Sequence, residues 1–582
     1  MNRHRAIRLI LVSVVAVSFA FIWRSSPSDP PSNRADTQTS TTATSQLTPV
    51  LPVASPCPRF KAGSVVHNPR ALFSSNGVLA VRFSYQHTFD NDGTELLCFM
   101  TPDGLENPTL HLKPGDHLII TITNNTPSTP AIMPPLDLPT CANPQATQSS
   151  INIHYHGTNT SPACHQDEVI KTIINSGETF QYNVAFPKDE PSGLYWYHPH
   201  IHMIAEHSVQ GGASGAIIVN GMENLQPAVS GLRERILMVR DQPVPGNPAP
   251  TGNIPSLDLT LNYIPITSPT AAKSNDFVPA ILQMQPGEKQ FWRVSNSTSD
   301  VILDLQYVFD RVPQILQLVA VDGVPLNSQD NSERPMLTEA THFLLSPASR
   351  VEFIVSAPPS SVRLAQLLTL GIGTGSGIFN DPERPLATVQ LIGGNDRIVD
   401  RDADTGNDNK IGTFSAMSTT QKRFAGLASA PVAIRRTVFF NENLNLNPPQ
   451  FFMDVHGKTE HVFDPNAPPD IVATQGTVEE WTVENRTLEN HAFHIHQIHF
   501  LVESQNNFEI NGSEQAPAIN GQYLDTIQIP FWDQNPNHPF PSVKLRIDFR
   551  GNDIGDFVFH CHILSHEDLG MMNIVRVRPR RE

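Results

Sequence analysis

His560-Cys561-His562-Ile563-Leu564-Ser565-His566-Glu567-Asp568-Leu569-Gly570-Met571 is the stretch from which this chain is best read outward. In an extended strand, successive side chains point to opposite faces, so His560 and His562 face one way and Cys561 the other. His566 and Met571 follow Cys561 at +5 and +10, which lets a turn bring both back to the thiolate. A thiolate, an imidazole and a weak thioether make up most of a blue-copper electron-transfer site. The flanking histidines would bind a second metal a few bonds away. The spacing thus predicts two metal sites back to back on one strand, with Cys561 as the path for electrons between them.

At 582 residues the chain is too long for one core, and its length suggests three or four domains. Proline is abundant at 51, and turn residues punctuate short apolar runs, which predicts an all-β fold. A formal net charge of -17 makes nucleic acid an unsuitable partner and is read as solubility. Arg3, Arg5 and Arg8 precede an apolar run from Leu9 to Trp23, the pattern of a secretory signal. Residues 1–23 are therefore expected to be a signal peptide or a retained N-terminal membrane anchor. Residues 24–59 are rich in Ser, Thr and Pro and are expected to be a disordered linker. The expected location is periplasmic or extracellular.

Of five cysteines, Cys561 is taken by the metal reading. Cys57, Cys98, Cys141 and Cys164 remain, an even set that in an exported protein suggests two disulfides with three possible connectivities. Cys141 with Cys164, leaving Cys57 with Cys98, is the pairing preferred.

A weak repeat sets the domain count. Gly115 leads through an alternating strand to Asn124, Gly287 does so to Asn296, and Gly476 to Asn485, nine residues each time. A second echo aligns Gly193-Leu-Tyr-Trp-Tyr-His198-Pro199-His200 with Gly555-Asp-Phe-Val-Phe-His560-Cys561-His562. Pro199 stands where Cys561 stands, so the first domain has the histidine pair without the thiolate. The expected organisation is three β-sandwich domains at 60–220, 221–400 and 421–582, with a linker over 401–420. Trp292 and Trp481 are expected in sandwich cores.

Four His-x-His pairs recur: His154/His156, His198/His200, His494/His496 and His560/His562. In a strand each pair presents two imidazoles to one side. A single pair in a β protein is ordinarily core or surface. Four pairs, two of them at repeat-equivalent places, point to metal. Residues 221–400 hold only His342, so that domain is not expected to bind metal through imidazole. Zinc also accepts His and Cys, but thioether suits it poorly, and the Cys561-His566-Met571 set favours copper.

These motifs resemble those of the multicopper oxidases, the laccase-like family. The resemblance rests on His154-Tyr155-His156-Gly157, Tyr195-Trp196-Tyr197-His198-Pro199-His200, His491-Ala492-Phe493-His494-Ile495-His496, and His560-Cys561-His562 through Met571. It implies three cupredoxin-like Greek-key β-sandwiches in tandem, four coppers per chain and reduction of dioxygen to water. By resemblance His491, Cys561 and His566 bind a type 1 copper with Met571 as the long axial ligand. His154 and His494 bind the type 2 copper, and His156, His198, His200, His496, His560 and His562 the type 3 pair. Ala492 stands where the family usually has Pro. His165, His202, His207 and His499 are read as non-ligands.

Making water consumes protons, and resemblance offers Glu567 and Asp167 as the acids that relay them. The expected partners are dioxygen and a small reducing substrate, with phenols or aromatic amines ahead of ferrous or cuprous ions. A copper-free scaffold is the third reading. The chain is expected to be a monomer. The Pro-rich segment from Thr126 to Ser150 is read as a rim of the substrate pocket or a braced surface loop.

Overall fold

The computed structural model describes residues 57–580, apart from 92, 244–256, 267–276, 329–336, 376–380, 394–422 and 508–517. The expected leader, nearly all of the N-terminal linker and the 401–420 linker lie outside the described residues. Within them the architecture is all-β: six sheets arranged as three cupredoxin-like sandwiches. The first has sheets of five and four strands, the second of eight and six, the third of six and five. Their strands span residues 71–219, 233–391 and 432–578.

The repeated strands occupy the same place in each sandwich. His117–Asn124, Lys289–Asn296 and Val478–Asn485 each lie between a parallel and an antiparallel neighbour. The first and third alternate buried and open positions, as a strand with one face on the core must. Each is entered through a glycine at positive φ, Gly115 at 87°, Gly287 at 75° and Gly476 at 87°, a conformation that disfavours any side chain.

Each repeat strand ends in a fully buried asparagine that does identical work. Asn124 Nδ2 donates to the carbonyls of Ser149 and Ile174, Asn296 to those of Val301 and Leu345, and Asn485 to those of Glu489 and Ile529. Each Oδ1 accepts from the backbone N–H and hydroxyl of the threonine two residues on, Thr126, Thr298 or Thr487. One side chain thereby satisfies the polar backbone of a strand-to-loop corner that water does not reach. The Asn-x-Thr triplets at these places are structural corners.

Trp292 and Trp481 are fully buried, and their indole N–H groups donate to Gln290 and Glu479. Both disulfides of the preferred pairing are present, Cys57–Cys98 and Cys141–Cys164, and Cys561 is free and buried.

Arg350 joins the three sandwiches. From the second it sends both terminal nitrogens to Asp525 of the third, at 2.8 and 2.6 Å, and its Nε to the carbonyl of Leu194 in the first. Glu352, on the same strand, accepts the N–H of Leu194.

Asn296→Ala strips the corner of the second sandwich of its cap. The expected loss is about 2–3 kcal/mol of stability by denaturant unfolding, with metal content unchanged.

Candidate metal centres

The ligand-bearing strands fall in the five-stranded sheets of the first and third sandwiches, at matching positions. His154–His156 pairs antiparallel with Gly193–His198, and His491–Ile495 pairs antiparallel with Gly555–Cys561. The register sets His154 opposite His198 and His494 opposite His560. Strand alternation then turns the imidazoles of both sheets to a common interface.

There the four His-x-His pairs converge into three groups: His154, His156 and His494; His156, His198 and His562; and His200, His496 and His560. Within each group one ligand atom per residue lies within 4.8 Å of the others. All eight rings are buried. On the opposite face of the last strand, Cys561 Sγ lies 3.4 Å from His491 Nδ1 and 3.9 Å from His566 Nδ1, with the two nitrogens 3.1 Å apart. The turn after Cys561 is a short helix, Leu564–Asp568, that brings His566 back. Met571 is buried in the core beside Cys561, and its carbonyl accepts the Cys561 N–H at 3.0 Å. Met572 faces the other way, into an apolar cavity beside His200.

Four of the eight rings use one nitrogen on the protein and leave the other bare. His154 Nδ1 lies 2.9 Å from Asp167 Oδ1, His198 Nδ1 2.8 Å from the Pro199 carbonyl, and His494 Nδ1 2.9 Å from the Asp525 carbonyl. His154 Nε2, His198 Nε2 and His494 Nε2 are buried without a partner, and so is His156 Nδ1, whose Nε2 lies 3.2 Å from Asp525 Oδ1. A ring oriented through one nitrogen with the other orphaned is how a metal-binding imidazole is held. Burial, reinforced by neighbouring imidazoles, holds the pKa values of His154, His156, His198, His200, His496, His560 and His562 well below the ordinary value. They stay neutral and free to donate a lone pair. A soft thiolate beside imidazoles, and a cluster of neutral imidazoles, is a donor set that fits copper.

His566 differs. Burial opposes its charge, but its contacts with Cys561 and Glu489 prevail and push its pKa up to about 10. A metal bound at Nδ1 would displace that proton. Its Nε2 lies 3.1 Å from Glu489 Oε2, and His491 Nε2 lies 2.8 Å from the Thr487 hydroxyl.

The two candidate acids also sit at the cluster. Burial raises Asp167 to about 7 against hydrogen bonds from Tyr155 and Gln497. Burial, with Asp568 and Cys561 adding to it, drives Glu567 well above the carboxylate range. Both Glu567 oxygens lack a hydrogen-bond partner, and they lie 3.9 Å from His200 Nδ1 and 3.8 Å from His560 Nδ1.

Sequence reasoning missed Asp525, Thr487 and Glu489. Burial opposes the charge of Asp525, yet Arg350 and the neighbouring imidazoles hold its carboxyl well below the usual range. Thr487 was visible only as the third residue of an Asn-x-Thr corner. The His499 ring spans Asn159 and the Asp322 carbonyl, at 3.3 and 2.8 Å.

Two family models, both described as multicopper oxidase, match residues 142–224 and 440–581. These segments carry all eight converging histidines and the Cys561 strand. The chain belongs to the multicopper oxidases. As one of them it is a copper-dependent oxidoreductase that uses oxygen as acceptor. It is 22% identical over 497 residues to the laccase of Bacillus subtilis (strain 168), covering 80% of this chain and 87% of that one. The multicopper oxidase McoA 2F4 variant of Aquifex aeolicus superimposes with a TM-score of 0.63 at 18% identity, over 89% of this chain and all (100%) of that one. A Campylobacter jejuni multicopper oxidase described as a metallo-oxidase gives a TM-score of 0.60 at 20% identity, over 90% and 96% of the two chains. At these identities the structural matches speak for the fold.

Gly157, at a φ of 82°, has no room for a side chain: a Cβ would stand 2.6 Å from Asp525 Oδ2 and closer still to Arg350. Gly157→Ala is therefore expected to displace Asp525 and with it His156. Copper analysis and electron paramagnetic resonance should show metal lost from the histidine cluster, with the blue absorption retained.

Proposed function

We propose that this chain is a laccase-like oxidase that takes single electrons from small phenolic or aromatic-amine donors at a type 1 copper. It would spend four of them on reducing dioxygen to water at a cluster of three. The observation that carries this reading is the division of one strand: Cys561 faces His491 and His566, while His560 and His562 face the other histidine groups. Copper, when bound, supplies reversible one-electron chemistry and a place for dioxygen.

His491, Cys561 and His566 would hold the type 1 ion, with the Met571 thioether as a further, weaker donor. His154 and His494 would hold the type 2 ion. His156, His198 and His562 would hold one type 3 ion, and His200, His496 and His560 the other. Cys561 links the two sites covalently through its own backbone to His560 and His562. Asp167 and Asp525 fix the rings of His154 and His156 through the nitrogens that face away from the metal. Glu567, kept protonated by burial, is placed to give a proton at the edge of the cluster between His200 and His560. Export to the periplasm or beyond, cleaved or anchored through residues 1–23, and a monomeric state belong to the same proposal.

A second reading, oxidation of a metal ion such as ferrous iron, has its own support. Glu489 stands on His566 Nε2, and Glu442 is half-buried nearby with one oxygen unpartnered. Carboxylates at the electron entrance suit a cationic donor. They also suit a phenol or amine that must shed a proton.

Metal analysis with an absorption spectrum tests the class: four coppers per chain and a strong blue band are expected, and a colourless copper-loaded protein would sink the reading. Glu567→Gln should keep the blue band and anaerobic oxidation of the donor but slow reoxidation by dioxygen about 100-fold. Glu489→Gln separates the donors. On the metal-oxidase reading kcat/KM for ferrous ion falls about tenfold while that for a non-ionisable organic donor holds. On the laccase reading the ferrous rate is low from the outset.

A further inference from the structure

We propose that the apolar cavity beside His200 is a holding site for dioxygen on its way to the histidine cluster, roofed by the segment from Thr126 to Ser150. The inference rests on the oxygen-reducing role of that cluster.

The cavity has a volume of about 20 Å³, more than the roughly 10–15 Å³ that one water-sized molecule needs. Its walls include Leu136, Ala146, Val169, Ile173, Val558 and Met572, and its only polar side chains are His200 and His202. Between them they offer little to a water: His200 Nε2 already faces His560 Nε2 at 3.2 Å, and His202 Nδ1, buried without a partner, is a single polar atom. A buried water requires two to four polar partners, whereas apolar cavities stay dry and take up apolar molecules and xenon. Dioxygen is small, uncharged and apolar, and it is the acceptor of this enzyme's reaction.

Burial gives the cavity a direction. Met133, Ile170, His202 and Pro465 at its rim are half-buried, while Ile173 and His200 at its floor are buried. The path therefore runs from near the surface to a ring placed in the cluster. It crosses the same boundary between the first and third sandwiches as the cluster itself, since Phe463, Val558 and Met572 come from the third.

The roof is built to stay in place. The Pro-rich segment folds back on itself, Ile132 N–H donating to the Ala146 carbonyl at 3.0 Å and Leu136 N–H to the Pro144 carbonyl at 2.7 Å. Cys141 is tied to Cys164, and Asp137 N–H donates across to Asn466 Oδ1 of the third sandwich at 2.8 Å. The segment that the sequence offered as a substrate-pocket rim thus lies over the oxygen side.

Xenon-pressurised crystals of the copper-loaded protein should show xenon in this cavity. Ala146→Leu should fill it, abolish the xenon peak and raise KM for dioxygen about tenfold at unchanged kcat, with anaerobic reduction of the blue centre by donor unaltered. Ile173→Ala, which enlarges the space, should keep xenon bound and leave KM for dioxygen at or below the wild-type value. Absence of xenon from the wild-type cavity, or an unchanged dioxygen KM in a folded, blue Ala146→Leu protein, would overturn the proposal. Xenon bound in a protein that oxidises no donor would overturn the oxidase reading alone.

Discussion

The buried ion pair between Arg350 and Asp525 is the contact on which the rest of the architecture depends. Neither side chain reaches water, and two charges in such a place are tolerable only with near-complete hydrogen bonding. They have it. Arg350 spends its nitrogens on Asp525, Leu194 and Ala348, and Asp525 adds the Thr526 hydroxyl and His156. The pair thereby ties the second sandwich, which carries none of the His-x-His pairs, to both ligand-bearing ones and fixes the attitude of His156. Gly157 follows from the same constraint, because only a missing side chain leaves the pair its space.

Around that anchor the protein solves a problem of charge. Eight imidazoles are packed in a dry interface, where each proton they took up would repel the others. Burial holds the pKa values of seven of them well below the ordinary value, and the protein engages one nitrogen of several. The thiolate site is built by other means. Thr487 and the half-buried Glu489 hold the outer nitrogens of His491 and His566. The thiolate site and the histidine cluster are separated by the thickness of one strand, which is also their connection.

The three sandwiches show how one scaffold was divided among tasks. Each keeps the glycine turn, the strand and the asparagine corner, because these serve the fold. In the third, the corner threonine also bonds His491, so a structural motif has become part of a site. In the first, Pro199 stands in the place of Cys561, so that sandwich gives imidazoles and no thiolate there. The second keeps the corner but has no His-x-His pair, and its contribution is Arg350 and Glu352.

Much of this was legible in the chain because it depends on local periodicity. Alternation along a strand decides which residues share a face, so His560 and His562 could be set apart from Cys561 without coordinates. A repeated Gly-to-Asn spacing likewise disclosed three related units. Asp525, Glu489 and the cavity beside His200 were not legible. Asp525 lies 369 residues from His156 in sequence, and the cavity is walled by side chains from two sandwiches. Nothing in the neighbourhood of either in the chain marks them, because their meaning comes from what folding brings opposite. The sequence by itself determined the ligand types, the strand that joins two sites and the threefold repeat, all set by spacing along one strand at a time. Only the tertiary structure decided which imidazoles meet, which nitrogen each leaves bare, which carboxylates guard the edges and where an apolar path reaches the cluster. Those depend on the packing of one sheet against another.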